Sequence, residues 1–321
     1  MLNEKKSIDD NILQRFEKII GGKPHKFLRN GTISHHKDFE KILDDIENNK
    51  KIYIYEYIQI SFAGLNIQQY ISLKFISWLQ KAFKCFVIIQ IADNDKYLST
   101  HFIPQQYIKE KAMSLMKDII SIGFEQEKTF IFLESIYSRK HSFQNTMIDI
   151  IKYTPICNLG NKKCLGEILS PLYEIAPCFP QTFSDIFGEN SQYTCLTLLK
   201  QDHTKLHKYL PELAKKIKQP VPCFLYTNFP LSLNTNISSR NNTIYIHDSP
   251  EKIKYKIMRH ADPHILHTLI NCLNNVETCE KDSTIESLGT IKILEILQNL
   301  KNVKLVTEQQ MWKFCKPNKT Y

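Results

Sequence analysis

The chain has 321 residues, of which 42% are hydrophobic and 23% charged, as in ordinary globular proteins. No apolar stretch approaches the roughly 20 residues that a membrane-spanning helix needs, which argues against an integral membrane protein. The formal net charge of +9 favours an anionic partner such as RNA, although a lysine-rich solvated surface would give the same value.

The cysteines predict a reducing compartment. The nine cysteines are scattered and form no C-x-x-C pair, so we expect reduced core thiols rather than disulfides or a metal site. The first residues, MLNEKKSIDDNILQRF, are too acidic for a signal or transit peptide. These features predict a cytoplasmic protein.

Residues 1–50 are predicted to form a helical segment packed on the next domain. The stretch SIDDNILQRFEKIIGG begins with a capping Ser7 and ends at two glycines. The stretch HHKDFEKILDDIENNK repeats the helical spacing of apolar residues.

Residues 51–248 are predicted to form an α/β domain. KKIYIYEYIQIS is rich in β-branched and aromatic residues and predicts a strand. A helix over 65–84 follows, and then CFVIIQIA, whose continuous apolar run is typical of a strand buried on both faces of a parallel sheet. KTFIFLE and VPCFLYT predict further strands, so we expect a Rossmann-like doubly wound parallel sheet.

Residues 249–321 are predicted to form a small α-helical domain. Ser249 and Pro250 open its first helix by N-cap and N1 chemistry. No further strand pattern follows.

Several blocks, in matching order, resemble the eukaryotic and archaeal type of tryptophanyl-tRNA synthetase, a class I synthetase. They include WLQKAFKCFVIIQIADNDKYL, SPLYEIAPCFPQTFSDIF, DSPEKIKYKIMRHA and TEQQMWKFCKP. The resemblance implies the family's dimeric catalytic domain, followed here by a shortened anticodon-binding domain. In the family, tryptophan is activated with ATP and Mg²⁺ and is then loaded onto tRNA.

The first ATP-binding signature of that family, His-x-Gly-His at a helix start, falls on Asn66, Ile67, Gln68 and Gln69. Both histidines are replaced, and Gln68 stands where glycine admits adenine. The glycine-rich turn before it falls on residues 57–60, whose bulky side chains are predicted to fill the space for ATP.

The second signature, a loop whose lysine meets the phosphates, aligns with Asn236, Ile237 and Ser238, so the lysine is replaced as well. Loss of one charge-stabilising group typically lowers a rate by roughly 10²–10³. The combined changes at the degenerate catalytic positions predict a chain that does not form the adenylate and needs no ATP or Mg²⁺ as cofactor. Those positions are Asn66, Gln68, Gln69, Asn236 and Ser238.

By the same resemblance, the tryptophan pocket falls on Tyr55, Gln90, Asp95, Glu174 and Gln201. Asp95 shortens a glutamate and Glu174 replaces a glutamine, while the other three positions keep the family's residue type. The added negative charge suits an ammonium-bearing ligand. Alternatively, Tyr55 and Gln90 are satisfied polar groups of the core.

Three functions therefore remain open. The first is a catalytically degenerate paralogue that binds RNA, an active synthetase subunit or a second copy of itself. The second is a divergent but active tryptophan–tRNA ligase, and the third is a tryptophan sensor that does not use ATP. For tRNA or other RNA, the phosphate contacts are predicted on Lys252, Lys254, Lys256 and Arg259.

Overall fold

The structure is a computed structural model of the chain. It describes residues 6–99, 102–159, 164–200, 205–230, 232–234, 240–273, 291, 293–295 and 306–316.

The N-terminal part contains strands that the sequence analysis did not assign. Its elements are β1 (Lys6–Ser7), α1 (Asp10–Ile20), α2 (Lys26–Arg29), β2 (Ile33–Lys37) and α3 (Phe39–Glu47). Strand β2 has the sequence ISHHK, which carries little strand propensity of its own. It is extended because it pairs antiparallel with a strand about 190 residues later, so tertiary pairing decides its conformation.

The central part alternates strands and helices as predicted. Its strands are β3 (Ile52–Gln59), β4 (Phe86–Ala92), β5 (Thr129–Leu133), β6 (Thr194–Lys200) and β7 (Cys223–Thr227). Its helices are α4 (Ile67–Phe83), α5 (Asp93–Leu98), α6 (Gln105–Ser121), α7 (Glu134–Tyr137), α8 (His141–Tyr153), α9 (Leu165–Ile175), α10 (Ser184–Phe187) and α11 (Lys205–Lys216).

One sheet runs through the molecule in the order β1-β2-β7-β6-β3-β4-β5. The five strands β7, β6, β3, β4 and β5 are parallel, and β1 and β2 extend one edge antiparallel. The predicted Rossmann-like α/β class is thus confirmed. The chain leaves β3 towards β4 and β5 and later returns to β6 on its other side. The carboxyl ends of β3 and β6 therefore flank a topological switch point, where ligands bind in such sheets.

Both faces of the sheet are covered. Alternate residues of β3 point into different cores, with Tyr53 and Tyr55 in one and Ile54 and Ile58 in the other. This two-sided burial accounts for the continuous apolar runs of the central strands.

After residue 248 the described elements are α12 (Pro250–His260), α13 (Pro263–Leu273) and α14 (Glu308–Phe314). Ser249 caps α12, since its side chain accepts a hydrogen bond from the Lys252 N–H. The boundary predicted near residue 249 thus lies at a helix start. In the described part of the chain, no helix has the length and apolar character needed to cross a membrane.

Candidate functional site

A cavity of 370 Å³ opens at the switch point, between the carboxyl ends of β3, β6 and β7 and the start of α4. Its volume lies within the roughly 300–1,000 Å³ of small-molecule sites. Polar groups form much of its wall. Those that bear on function are Tyr55, Glu56, Tyr57, Gln59, Gln68, Gln69, Glu174 and His207.

The start of α4 is closed by its own side chains. Asn66 Oδ1 accepts a hydrogen bond from the Gln69 N–H at 2.8 Å, and Gln69 Oε1 accepts one from the Asn66 N–H at 3.1 Å. This reciprocal capping box satisfies two backbone donors of the helix N-terminus. Asn66 and Gln69 therefore serve to cap a helix.

Gln68 and Gln69 also tie α4 to its neighbours. The buried Gln68 amide donates to the Phe229 carbonyl at 3.4 Å, which joins α4 to the chain that follows β7. The Gln69 amide donates to the Gln59 carbonyl at 3.1 Å. The Gln68 side chain thus bridges two walls of the cavity.

A short backbone pairing covers the same helix start. The Ile67 N–H donates to the Ile244 carbonyl at 2.9 Å, and the Ile246 N–H donates to the Leu65 carbonyl at 3.0 Å. Behind this segment, the buried Lys256 ammonium donates to the Thr243 carbonyl at 2.6 Å and to Asp248 Oδ2 at 2.7 Å. The segment 243–248 is thereby fixed between α4 and α12.

Residues 57–60 divide between the cavity wall and a hydrophobic core. Ile58 and Ile60 are packed in that core. Tyr57, Ile58 and Gln59 line the cavity, and open volume remains beside them. That these residues fill the space for ATP stays a prediction.

Tyr55 and Gln90 belong to a buried hydrogen-bond network. The Tyr55 hydroxyl lies 3.0 Å from Gln90 Oε1 and 2.7 Å from the Glu174 carbonyl. The Gln90 amide nitrogen donates to Glu134 Oε2 at 2.7 Å and to the Tyr173 carbonyl at 3.3 Å. Gln90 therefore has both of its N–H groups in use, as expected for a satisfied core group.

Several carboxyl groups surround this network. Burial raises the pKa of Glu134 to about 8, with further contributions from nearby Asp93 and Asp95. Burial and the charge of Asp95 raise the pKa of Glu174 to about 7. Asp95 itself accepts a hydrogen bond from Ser170. Of these carboxyl groups, Glu174 is the one that the described lining of the cavity includes. The pocket role predicted for Asp95 and Glu174 stays a prediction.

The environment of Glu134 is unusual. It is fully buried, and its Oε1 atom has no hydrogen-bond partner among the described residues. Sequence reasoning did not select it, although a carboxylate directly after the buried strand TFIFL was a usable signal. It lies at the carboxyl edge of the sheet, where Asp93 follows β4 in the same way.

Sequence reasoning also did not select Glu56 and His207. Burial raises the pKa of Glu56 to about 8, against the opposing effects of a hydrogen bond from Ser72 and the charge of Lys200. Burial lowers the pKa of His207 to about 4, so its ring is neutral at pH 7, and its Nε2 lies 3.5 Å from Glu174 Oε1. A glutamate amid the apolar strand YIYEYI was the signal for Glu56.

Gln201, Asn236 and Ser238 lie outside the described residues. Within the described ranges, no group of three or more His, Cys, Asp or Glu side chains is arranged to hold a metal ion.

Known proteins resemble the chain over most of its length. It is 30% identical over 269 residues to the cytoplasmic tryptophan–tRNA ligase of Mus musculus, a match that covers 79% of this chain and 55% of that protein. The corresponding ligase of Schizosaccharomyces pombe is 31% identical over 271 residues, with 80% and 67% covered. The chain thus spans little more than half the length of the mouse relative.

The folds agree as well. The crystal structure of Plasmodium falciparum tryptophanyl-tRNA synthetase matches 98% of this chain and 95% of its own, with a TM-score of 0.87 and 26% identity. No protein-family model matches the chain.

Proposed function

The chain belongs to the tryptophanyl-tRNA synthetase family, and we propose that it is a member that acts by binding and no longer forms the adenylate. The start of α4 carries the proposal. The residues at both histidine positions and at the glycine position are engaged in hydrogen bonds within the protein. An approaching phosphate would have to displace those bonds.

The charges in the cavity support the same conclusion. Lys200 is the one lysine or arginine among the described residues of the cavity wall. Glu56 lies in the same wall, and below its pKa of about 8 its carboxyl group is mostly neutral, so it offers phosphate groups no positive charge. Catalysis of phosphoryl chemistry needs several preorganised cations or donors at the site of developing charge. The described wall offers few of them.

Thermal unfolding of the purified protein tests the proposal. A ligand at about 100 times its Kd stabilises the folded state by roughly 2.7 kcal/mol, which is readily measured as a rise in Tm. We expect no rise with ATP and Mg²⁺, with or without tryptophan, under conditions that stabilise the S. pombe relative. A rise with ATP and Mg²⁺ would favour the divergent, active tryptophan–tRNA ligase.

Tryptophan sensing is the second candidate function. Glu134 Oε1 is buried without a described partner, and the nearby carboxyl groups Asp95 and Glu174 act on its pKa. A ligand ammonium would supply the missing donor and favour the ionised carboxylates. A rise in Tm with tryptophan alone would support this role. The absence of a rise at millimolar tryptophan would exclude it and leave binding surfaces as the remaining basis of function.

The binding role that we propose includes a second copy of the chain or an active synthetase subunit as partner. Ile148 and Ile151 are 62% and 50% exposed, one turn apart on α8, and Ile156 beyond the helix is 77% exposed. Exposed apolar side chains grouped in this way are typical of protein interfaces. Light scattering should therefore give a dimer mass that Ile148→Arg reduces; a monomer mass for the unaltered chain would exclude the homodimer.

Cytoplasmic localisation also belongs to the proposal, because the named ligase relatives are cytoplasmic proteins. Imaging of the tagged full chain checks it, and signal confined to an organelle would contradict it.

A further inference from the structure

A second cavity lies where the parallel strands begin, at the end of the sheet opposite the switch-point cavity. It has a volume of 310 Å³ and is lined by Lys50, Lys51, Lys84 and Lys128. Among the residues that the structure describes, no aspartate or glutamate lines it. We call it the amino-edge groove.

The sequence brings these side chains together through the strand order. Lys51 directly precedes β3, Lys84 lies two residues before β4, and Lys128 directly precedes β5. Tyr193 precedes β6 in the same way. Because the amino ends of neighbouring parallel strands meet at one edge, residues far apart in sequence converge there.

The lysines are only weakly neutralised. Lys50 lies 3.6 Å from Asp45, and Lys128 lies 3.6 Å from Glu125. Lys51 and Lys84 form no ion pair with any described residue. The groove therefore presents an excess of positive charge.

Neutralisation of helix ends would be a simpler role for these lysines, because α3 and α4 both end beside the groove. The backbone, however, already serves one carbonyl in the last turn of each helix. The Lys50 N–H donates to the Asp45 carbonyl at 2.7 Å, and the Lys84 N–H donates to the Gln80 carbonyl. These two carbonyls thus do not need the ammonium groups as hydrogen-bond donors.

The groove also has an aromatic and apolar floor. The Tyr193 ring stacks on Phe187 with centroids 4.2 Å apart, and the Lys51 ammonium lies 5.7 Å from the Tyr193 centroid. Ile52 and Phe86 complete the floor. Lysines around an aromatic surface are the combination that single-stranded nucleic acids need, with phosphates at the cations and a base against the ring.

We propose that the amino-edge groove binds single-stranded RNA through its phosphates and one base. This surface is separate from the cavity at the carboxyl edge, and its assignment does not depend on the loss of ATP chemistry. An acidic peptide would bind the same lysines but would make little contact with the Tyr193 ring. The lysines of α12, which the sequence predicted as phosphate contacts, are a weaker candidate site for RNA. Lys256 is 2% exposed, and both Lys252 and Lys256 pair with Asp248.

Fluorescence anisotropy with a short labelled oligouridine tests the proposal on the full chain. The variant Lys51→Glu with Lys84→Glu should weaken binding at low salt, because two phosphate contacts are lost. It should also lower the salt slope by about 0.7 for each lost phosphate contact, the value for single strands. The control, Lys117→Glu with Lys208→Glu, makes the same charge change at two exposed lysines outside the groove and should retain near-native affinity.

Further measurements separate the outcomes. Tyr193→Leu should weaken oligouridine binding while leaving the competition by inorganic phosphate unchanged, and the Tm of each variant excludes unfolding as the cause. Absence of binding by the unaltered protein, or equal losses in groove and control variants, would overturn the proposal. Binding of polyglutamate but not oligouridine, with sensitivity to the same lysines, would overturn it in favour of an acidic protein partner.

Discussion

The start of α4 and the acidic cluster around Gln90 differ in what their polar groups do. At the start of α4, Asn66, Gln68 and Gln69 are engaged in hydrogen bonds that join elements of the protein. Around Glu134 and Glu174, burial raises the pKa values of carboxyl groups. The start of α4 is tied into the scaffold, whereas the acidic cluster contains ionisable groups whose charged forms are disfavoured by burial. Buried carboxyl groups with shifted pKa values, such as Glu134 and Glu174, are common at ligand-binding sites.

The largest expected effect sharpens this comparison at the scaffold end. Lys256→Met should lower the free energy of unfolding by about 3 kcal/mol, because it leaves Asp248 buried with part of its pairing lost. Chemical denaturation measures the loss.

Lys252→Met is the matched control for Lys256→Met, because Lys252 pairs with the same carboxylate but is 44% exposed. An exposed pair contributes about 0–1 kcal/mol, so we expect a small loss. Equal losses in the two variants would show that the buried contact does not fix the segment 243–248 against α4.

At pH 6 a smaller effect is expected in the acidic cluster, and it grows with pH. The pKa of Glu134 is raised from 4.5 to about 8 in the folded protein. Its contribution to stability is therefore fully present below pH 4.5 and is lost as the pH rises through about 8. Glu134→Gln removes this loss, so the variant should be more stable than the unaltered chain by roughly 2 kcal/mol at pH 6 and by roughly 5 kcal/mol above pH 8.

Denaturation at a series of pH values checks the Glu134 prediction, with Glu17→Gln as the control at an exposed carboxylate. Parallel pH profiles for the unaltered chain and Glu134→Gln would contradict it. Parallel profiles would mean that Glu134 is already ionised in the folded protein, so that a negative charge is available there to pair with a ligand ammonium.

The smallest effect concerns the capping box. Asn66→Ala removes the side chain that accepts from the Gln69 N–H and should cost about 1 kcal/mol of stability. Asn66→Ser retains a capping oxygen and should cost only a fraction of that. If the alanine and serine variants were equally stable, position 66 would have no capping role.

Local patterns were sufficient for much of the fold. The helix predicted over 65–84 is α4 at Ile67–Phe83, and the apolar run CFVIIQIA contains β4. Both elements carry strong periodic or continuous apolar signals, which tertiary contacts reinforce. Strand β2 was missed because its histidines and lysine give no such signal.

The site was less accessible to sequence reasoning, because its contacts join distant residues. Gln68 donates to a carbonyl 161 residues away, and Gln90 donates to Glu134 across 44 residues. No local pattern reports such pairs. The resemblance selected Asn66 and Gln69 as replaced positions, and the coordinates give them a role in capping.

Tryptophan-dependent exchange of labelled pyrophosphate into ATP tests the central claim most directly, since it reports adenylate formation without any need for tRNA. We predict exchange at the level of a reaction without enzyme for the full chain, with the S. pombe ligase as the active reference. Exchange that requires tryptophan and exceeds that level would contradict the account, because it would show that the start of α4 still accommodates ATP and supports its chemistry.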